Sequence, residues 1–169
     1  MPCYSYGMHE APIADLPQNA PLRDRYGRIA DQLAPLFAKV TDPQARMASA
    51  AALLHHKMPH FFWTGFYRLV DGDLIVGPYQ GPIACLLLER HKGVCWAGID
   101  GGEPVLVADV HAFPDHIACD SRSQSEVVVP LRDASGIIVG VLDVDSDKPN
   151  AFTQTDVEGL VRIAGMIYA

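Results

Sequence analysis

The stretch Glu126-Val-Val-Val-Pro-Leu-Arg-Asp133-Ala-Ser-Gly136-Ile-Ile-Val-Gly-Val-Leu-Asp-Val-Asp145 decides the fold. Two runs rich in β-branched residues, 126–132 and 137–145, flank the turn signal Asp133-Ala-Ser-Gly136, so the segment reads as an antiparallel hairpin. A second hairpin lies upstream: Phe61 to Val70, the turn Asp71-Gly72-Asp73, then Leu74 to Tyr79. Val105 to Val107 is a further short strand. Residues 81–104 carry mixed signals, with a short helix expected between Gly93 and Gly101.

Helical periodicity brackets these strands. Leu22, Tyr26, Ile29, Leu33, Phe37 and Val40 recur at steps of three and four, and Pro35 is expected to kink or split that helix. Asp42-Pro43 is an N-cap followed by proline at the first helical position. The helix that follows carries Met47, Ala51, Leu54 and Met58 on one face and ends at Pro59. A last helix opens on Thr153-Gln-Thr-Asp156, a capping-box pattern. Phe152 and Val157 form its staple, and Val157, Leu160, Val161, Ala164 and Ile167 its buried stripe. Hairpins without βαβ units imply an α+β fold, a central antiparallel sheet with the N- and C-terminal helices packed on one face.

The length, 169 residues, suits one domain. Residues 1–20 are Pro-rich and aperiodic and read as a loose arm, leaving 21–169 as a single domain. A net charge of -7 lacks the basic face that nucleic acid would call for. No apolar run reaches the roughly 18 residues of a membrane span. Met1 to Asn19 lacks the basic and apolar regions of a secretory signal. A cytoplasmic location is therefore expected, where structural disulfides are rare. Four cysteines in such a chain read as free, catalytic or metal-bound, and Cys3, in the arm, reads as a bystander.

Glu126, Asp143 and Asp145 form one candidate cluster. Strand period is two, so Asp143 and Asp145 share a face with Val139 and Val141. Pairing Arg132 with Ile137 across the turn puts Glu126 opposite Asp143. Like charges facing across a strand pair are destabilising, unless a cation fills the space or one carboxyl keeps its proton.

The thiols form the other cluster. Cys119 sits in a polar loop near His111, His116 and Arg122, a setting that can generate a thiolate. Cys85, among Ile83, Ala84 and Leu86 to Leu88, fits a small buried hydrophobe better. Zinc is a rival: His111, His116 and Cys119, with Cys85 or Cys95 as a fourth ligand, are the right atom types. Their spacing matches no strong zinc signature, however. A Cys-His hydrolase would leave the other thiols and the acids unexplained. His55 and His56, on the second helix, read as surface residues. Trp63 and Tyr67 alternate on one strand face, as core residues or as the wall of a pocket.

Several stretches resemble one family. Phe62-Trp-Thr-Gly-Phe-Tyr67, Gly77-Pro-Tyr-Gln-Gly-Pro-Ile-Ala-Cys85, Gly93-Val-Cys95, Asp109-Val-His-Ala-Phe-Pro-Asp-His-Ile-Ala-Cys-Asp120, Ser125-Glu-Val-Val-Val-Pro-Leu131 and Gly140-Val-Leu-Asp-Val-Asp-Ser146 are similar to free methionine-(R)-sulfoxide reductases, which are built on a single GAF domain. The chain departs from the family where Trp96 stands in place of the usual glycine, and where Leu86 to Lys92 replaces an arginine-rich turn.

The resemblance implies an oxidoreductase that reduces free L-methionine (R)-S-oxide and needs no cofactor or metal. It assigns Cys119 as nucleophile, Cys85 as resolving cysteine and Cys95 as a third thiol with a catalytic or relay role. Glu126, Asp143 and Asp145 look like the acids that hold the substrate amine and the sulfoxide oxygen, and Trp63 and Tyr67 like the wall around the sulfoxide methyl. Thioredoxin is implied as reductant. The sequence leaves the oligomeric state open, a homodimer included. The alternative is a GAF domain that senses a small molecule or redox state without turnover.

Overall fold

The computed structural model describes residues 20–116 and 120–169; the arm expected over 1–20 lies almost wholly outside these residues. Four helices and six strands follow in chain order. They are α1 (Leu22–Phe37), α2 (Pro43–Lys57), β1 (Trp63–Val70), β2 (Asp73–Gln80), β3 (Leu87–Leu88), α3 (Gly93–Gly101), β4 (Val105–Val107), β5 (Ser125–Arg132), β6 (Ile138–Ser146) and α4 (Gln154–Ala164). The strands form one sheet in the order β3-β2-β1-β6-β5-β4, and every pairing is antiparallel. The α+β architecture read from the sequence is the one observed.

The sheet has two buried faces with different coverings. Phe66, Val127, Val129, Leu131, Leu142 and Val144 pack with α1, α2 and α4 in the larger core. Trp63, Tyr67, Val128 and Val141 face the other way, into a smaller cluster with Val94, Cys95 and Trp96 of α3. The N- and C-terminal helices thus seal one face and leave the other to α3 and the long loops, where a pocket can open.

Details depart from the expectations in instructive ways. The first helix runs unbroken past Pro35 to Phe37, because a proline in the last turn forfeits a single interior hydrogen bond. Val40 is exposed beyond the helix end, and Val161 is 43% exposed while Ile163 takes its place in the buried stripe. Strand β1 begins at Trp63, with Phe61 and Phe62 outside it. Strand β3 was concealed by the irregular composition of 81–92.

Two caps hold the helical layer. The Asp42 side chain accepts a hydrogen bond from the Ala45 N–H at 2.8 Å at the start of α2. At the start of α4, Asp156 Oδ2 accepts from both the N–H and the hydroxyl of Thr153, at 2.8 and 2.9 Å. Its Oδ1 accepts from the Tyr26 hydroxyl at 2.9 Å and lies 3.1 Å from His60 Nε2. One buried carboxyl therefore ties α4 to α1 and to the α2–β1 connection.

Burial raises the Asp156 pKa, but the hydrogen bonds from His60, Thr153 and Tyr26 outweigh burial and hold it below the ordinary value. A carboxyl depressed in the folded state adds stability above its unfolded pKa of about 3.9 and loses it as pH falls through the folded value. Asp156→Ala should cost about 2–4 kcal/mol at pH 7, since several buried donors lose their acceptor together. In urea titrations the deficit should shrink below about pH 4; a deficit independent of pH would assign the loss to packing alone.

Candidate active site

The register of three neighbouring strands assembles the site. In the β1–β6 pair Trp63 faces Asp145, Gly65 faces Asp143 and Tyr67 faces Val141. In the β5–β6 pair Glu126 faces Asp145, Val128 faces Asp143 and Pro130 faces Val141. Rows therefore run across the sheet: Trp63, Asp145 and Glu126 in one, Gly65, Asp143 and Val128 in the next.

The expected pairing of Arg132 with Ile137, and so of Glu126 with Asp143, is corrected. Arg132 pairs with Ile138, and a bulge between Leu131 and Arg132 moves Glu126 opposite Asp145. Asp133 Oδ1 accepts from the N–H groups of Ser135 and Ile137 at 2.8 and 3.0 Å, which widens the turn. The correction amounts to two residues. An even shift preserves the strand face, so all three acids still project to one side.

Gly65 makes the aromatic wall possible. A Cβ there would lie 2.4 Å from the Trp63 indole and 2.4 Å from Tyr79. Without it the indole lies flat over the strand, stacked on Tyr79 at 5.3 Å and on Tyr67 at 5.9 Å between centroids. The Tyr67 hydroxyl donates to the Cys85 carbonyl at 3.2 Å, which anchors the Cys85 loop to the wall.

Helix α3 closes the opposite side. Gly98 sits against Val128, where a Cβ would come within 2.9 Å of the valine methyl, so the helix lies close on the sheet. Its first turn carries Cys95, whose sulfur lies within 4.8 Å of carboxylate oxygens of Glu126 and Asp143, those oxygens being equally close to each other.

Trp63, Tyr67, Ala84, Leu88, Lys92, Cys95, His116, Asp120, Ser123 and the three acids line a single pocket. Lys92, Asp120 and Ser123 are not among the site residues expected from the sequence. They lie on loops, where no periodicity reports a direction. Three buried polar atoms on this pocket lack a hydrogen-bond partner: Trp63 Nε1, His116 Nε2 and Asp143 Oδ1. Orphaned buried groups are rare and costly, and here a donor and an acceptor converge on one space.

The electrostatics follow from burial of like charges. Glu126 and Asp143 are each 6% exposed. Burial, then the neighbouring carboxyls, pushes Glu126 well above its ordinary value. Burial likewise raises Asp145, reinforced by Asp143 and opposed by a hydrogen bond from Ser123. Burial pushes Asp143 up to about 7, against hydrogen bonds with Cys95 and Glu126 and from the Val144 N–H. Cys95 lies in the first turn of a helix, which should favour its thiolate. Burial and the neighbouring carboxyls win, and its thiol is raised well above the usual range. A helix terminus contributes about 1 kcal/mol, less than burial beside three carboxyls costs.

The remaining candidates fall as follows. Cys85 is half-exposed rather than buried as the sequence suggested, beside the exposed Ile83, Leu86 and Leu87. Cys119 lies outside the described residues, as does Cys3. The turn after Cys119 is fixed by Arg122, which donates to Asp120 at 2.7 and 3.0 Å and lies over the Phe62 ring. Arg122 holds the Asp120 carboxyl down to about 2. Trp96 is buried beside His91 in the smaller core and is not among the residues that line the pocket. The replaced 86–92 turn is tied to β2 through Arg90 Nε, which donates to Asp73 at 2.6 Å. His55 is half-buried, 3.3 Å from the Thr64 hydroxyl, and His56 is exposed. The ring centroids of His111 and His116 lie 6.5 Å apart.

Residues 41–167 match the family model described as GAF domain. A free methionine-R-sulfoxide reductase of Escherichia coli is 39% identical over 132 residues, 78% of this chain and 79% of that protein. Protein YtsP of Bacillus subtilis is 43% identical over 141 residues, 82% of this chain and 86% of that protein. The crystal structure of a free methionine-R-sulfoxide reductase from Neisseria meningitidis, in complex with its substrate, superposes with a TM-score of 0.83 at 37% identity, covering 95% of this chain and 94% of that one. The chain belongs to the GAF-domain family of free methionine-R-sulfoxide reductases. Its pocket brings the acid cluster, the aromatic wall and Cys95 together.

The raised Asp143 yields a stability test. A carboxyl raised in the folded state contributes its full stability below the unfolded pKa of about 3.9 and loses it as pH rises through about 7. Asp143→Asn should therefore match the parent near pH 4 and exceed it by on the order of 4 kcal/mol at pH 8. Thermal melts at the two pH values measure the difference; equal stability at pH 8 would mean the carboxyl is ordinary.

Proposed function

We propose that this protein reduces free L-methionine (R)-S-oxide to L-methionine through its cysteines. The observation that carries the reading is the pocket itself: Trp63 and Tyr67 face Glu126, Asp143 and Asp145, in a chain whose relatives are named for this reaction. The substrate is small and carries an ammonium group, a polar S–O bond and an S-methyl. Carboxylates suit the first, a protonated acid the second and an aromatic wall the third.

The crowding of three acids on one face, Glu126 and Asp143 buried and Asp145 half-buried, supports a division of roles. One or more of the carboxyls retains a proton at neutral pH and serves as general acid toward the sulfoxide oxygen. The remaining negative charge pairs with the ammonium, which a peptide-bound methionine does not offer. Trp63 Nε1 supplies a further unspent donor.

A thiolate attacks the sulfoxide sulfur, the oxygen takes a proton and passes to the cysteine sulfur, and methionine leaves behind a sulfenic acid. Cys119 is proposed for this step. Cys95, held neutral by burial beside the carboxyls, is a poor nucleophile, whereas the Cys119 segment adjoins His116 and Arg122 in sequence. Cys85 is proposed to condense with the sulfenic acid, expelling water and forming a disulfide. A dithiol protein of the thioredoxin type then reduces that disulfide by exchange. The half-exposed position of Cys85 on an apolar rim suits access by such a partner. A cytoplasmic location would supply this reductant, and among the described residues no helix is long and apolar enough to cross a membrane. The domain is proposed to span 21–169, with 1–20 as an arm outside it.

Consumption of NADPH with thioredoxin, thioredoxin reductase and each epimer of free methionine sulfoxide tests the reading. Turnover should be confined to the R epimer, vanish in Cys119→Ser and persist in Cys3→Ser. Glu126→Gln and Asp143→Asn should each lower kcat/KM by about a hundredfold or more. Substrate added without reductant should leave a single disulfide, Cys85 to Cys119, in peptide maps. Binding of the sulfoxide without steady NADPH consumption would instead make this a sensor.

A further inference from the structure

Cys95 Sγ, a Glu126 oxygen and an Asp143 oxygen lie mutually within 4.8 Å. All three residues are about nineteen-twentieths buried, each 6% exposed. Ligand atoms of a tetrahedral zinc ion lie roughly 3.5 Å apart, given bonds of about 2.0–2.3 Å to oxygen and sulfur. The three groups need only a modest inward turn to reach that spacing.

A second observation points to a ligand. Asp143 Oδ1 is buried without a hydrogen-bond partner, so one of the three groups already carries an unspent lone pair. His116 Nε2, on the wall of the same pocket, is likewise without a partner and is a further nitrogen donor. The cation that also lines the pocket, Lys92, is engaged elsewhere: its ammonium pairs with Glu89 at 2.5 Å.

We propose that the reduced protein binds one thiophilic divalent cation of the zinc class through Cys95, Glu126 and Asp143. The donor set selects the metal. One thiolate with two carboxylates is a set that zinc accepts, whereas magnesium and calcium take oxygen alone. The cation displaces the Cys95 proton as it binds, and its positive charge relieves the repulsion among the three acids. This site differs from the one the sequence suggested around His111, His116 and Cys119. The ion occupies the space that the proposed function gives to the sulfoxide. Binding is nevertheless read without substrate or reductase partners, so its outcome is independent of turnover.

The test titrates reduced full-length protein with Zn2+ against a chromophoric chelator, and with Cd2+ while following the thiolate-to-metal absorption band. One equivalent should bind. Cys95→Ser and Cys95→Ala should abolish the Cd2+ band, and Glu126→Gln should weaken Zn2+ at least tenfold, with circular dichroism confirming that each variant is folded. Two Cys95 variants are used so that misfolding of one leaves the other decisive. Absence of stoichiometric binding overturns the proposal. So does a band that persists in both Cys95 variants, which would place the metal on other thiols or on His111 and His116.

Discussion

Everything in this structure that bears on chemistry depends on setting three carboxyl groups, two buried and the third half-buried, side by side on one face of a sheet. Two unit charges 4 Å apart repel by about 4 kcal/mol at the effective dielectric of a protein interior near its surface. Three such groups in one pocket cannot all ionise at that cost. The fold tolerates the arrangement because some of the carboxyls keep their protons, and protons held at neutral pH are what an acid catalyst requires. The same field keeps Cys95 neutral, although its place in the first turn of α3 would otherwise favour a thiolate.

The two faces of the sheet divide the work. Helices α1, α2 and α4 bury the apolar face and are locked together by Asp156, which gathers Tyr26, His60 and Thr153. That layer supplies stability and leaves the opposite face thinly covered. On that face strand register, rather than loop conformation, sets the spacing of Trp63, Asp145, Glu126 and Asp143. Placing these side chains on strands gives them the rigidity that loops lack. The thiols are distributed differently: Cys95 on a helix beneath the acids, Cys85 on a half-exposed connection held through Tyr67. The buried pocket and the half-exposed Cys85 loop are thereby linked through the Tyr67 side chain.

Much of this was legible in the sequence because it rests on periodicity. Alternation of two placed Asp143 with Asp145 and Trp63 with Tyr67, and the capping pattern at Thr153 to Asp156 placed the last helix. The register was not legible. Turn composition gives no count of the residues a bulge absorbs: one residue at the turn, where Arg132 pairs with Ile138, and one at the bulge after Leu131 together moved Glu126 from Asp143 to Asp145. The cluster survived because the slip was even. Burial of Cys85 was misread because local apolar composition says nothing about which side of a loop meets solvent. Lys92, Asp120 and Ser123 carry no periodic signal, and only the folded chain brings them to the pocket. The role of Gly65, whose missing side chain admits the Trp63 indole, is likewise a property of packing.

The central claim is that the acids of this pocket hold protons at neutral pH. It is tested most directly by following the side-chain carboxyl carbons of isotopically labelled protein by NMR as pH is raised. The account predicts that Glu126, Asp143 and Asp145 titrate as a coupled group, in steps spread apart by their mutual repulsion and above the ordinary carboxylate range, with the Asp143 transition near pH 7. Three independent transitions near the ordinary value of about 4 would contradict it.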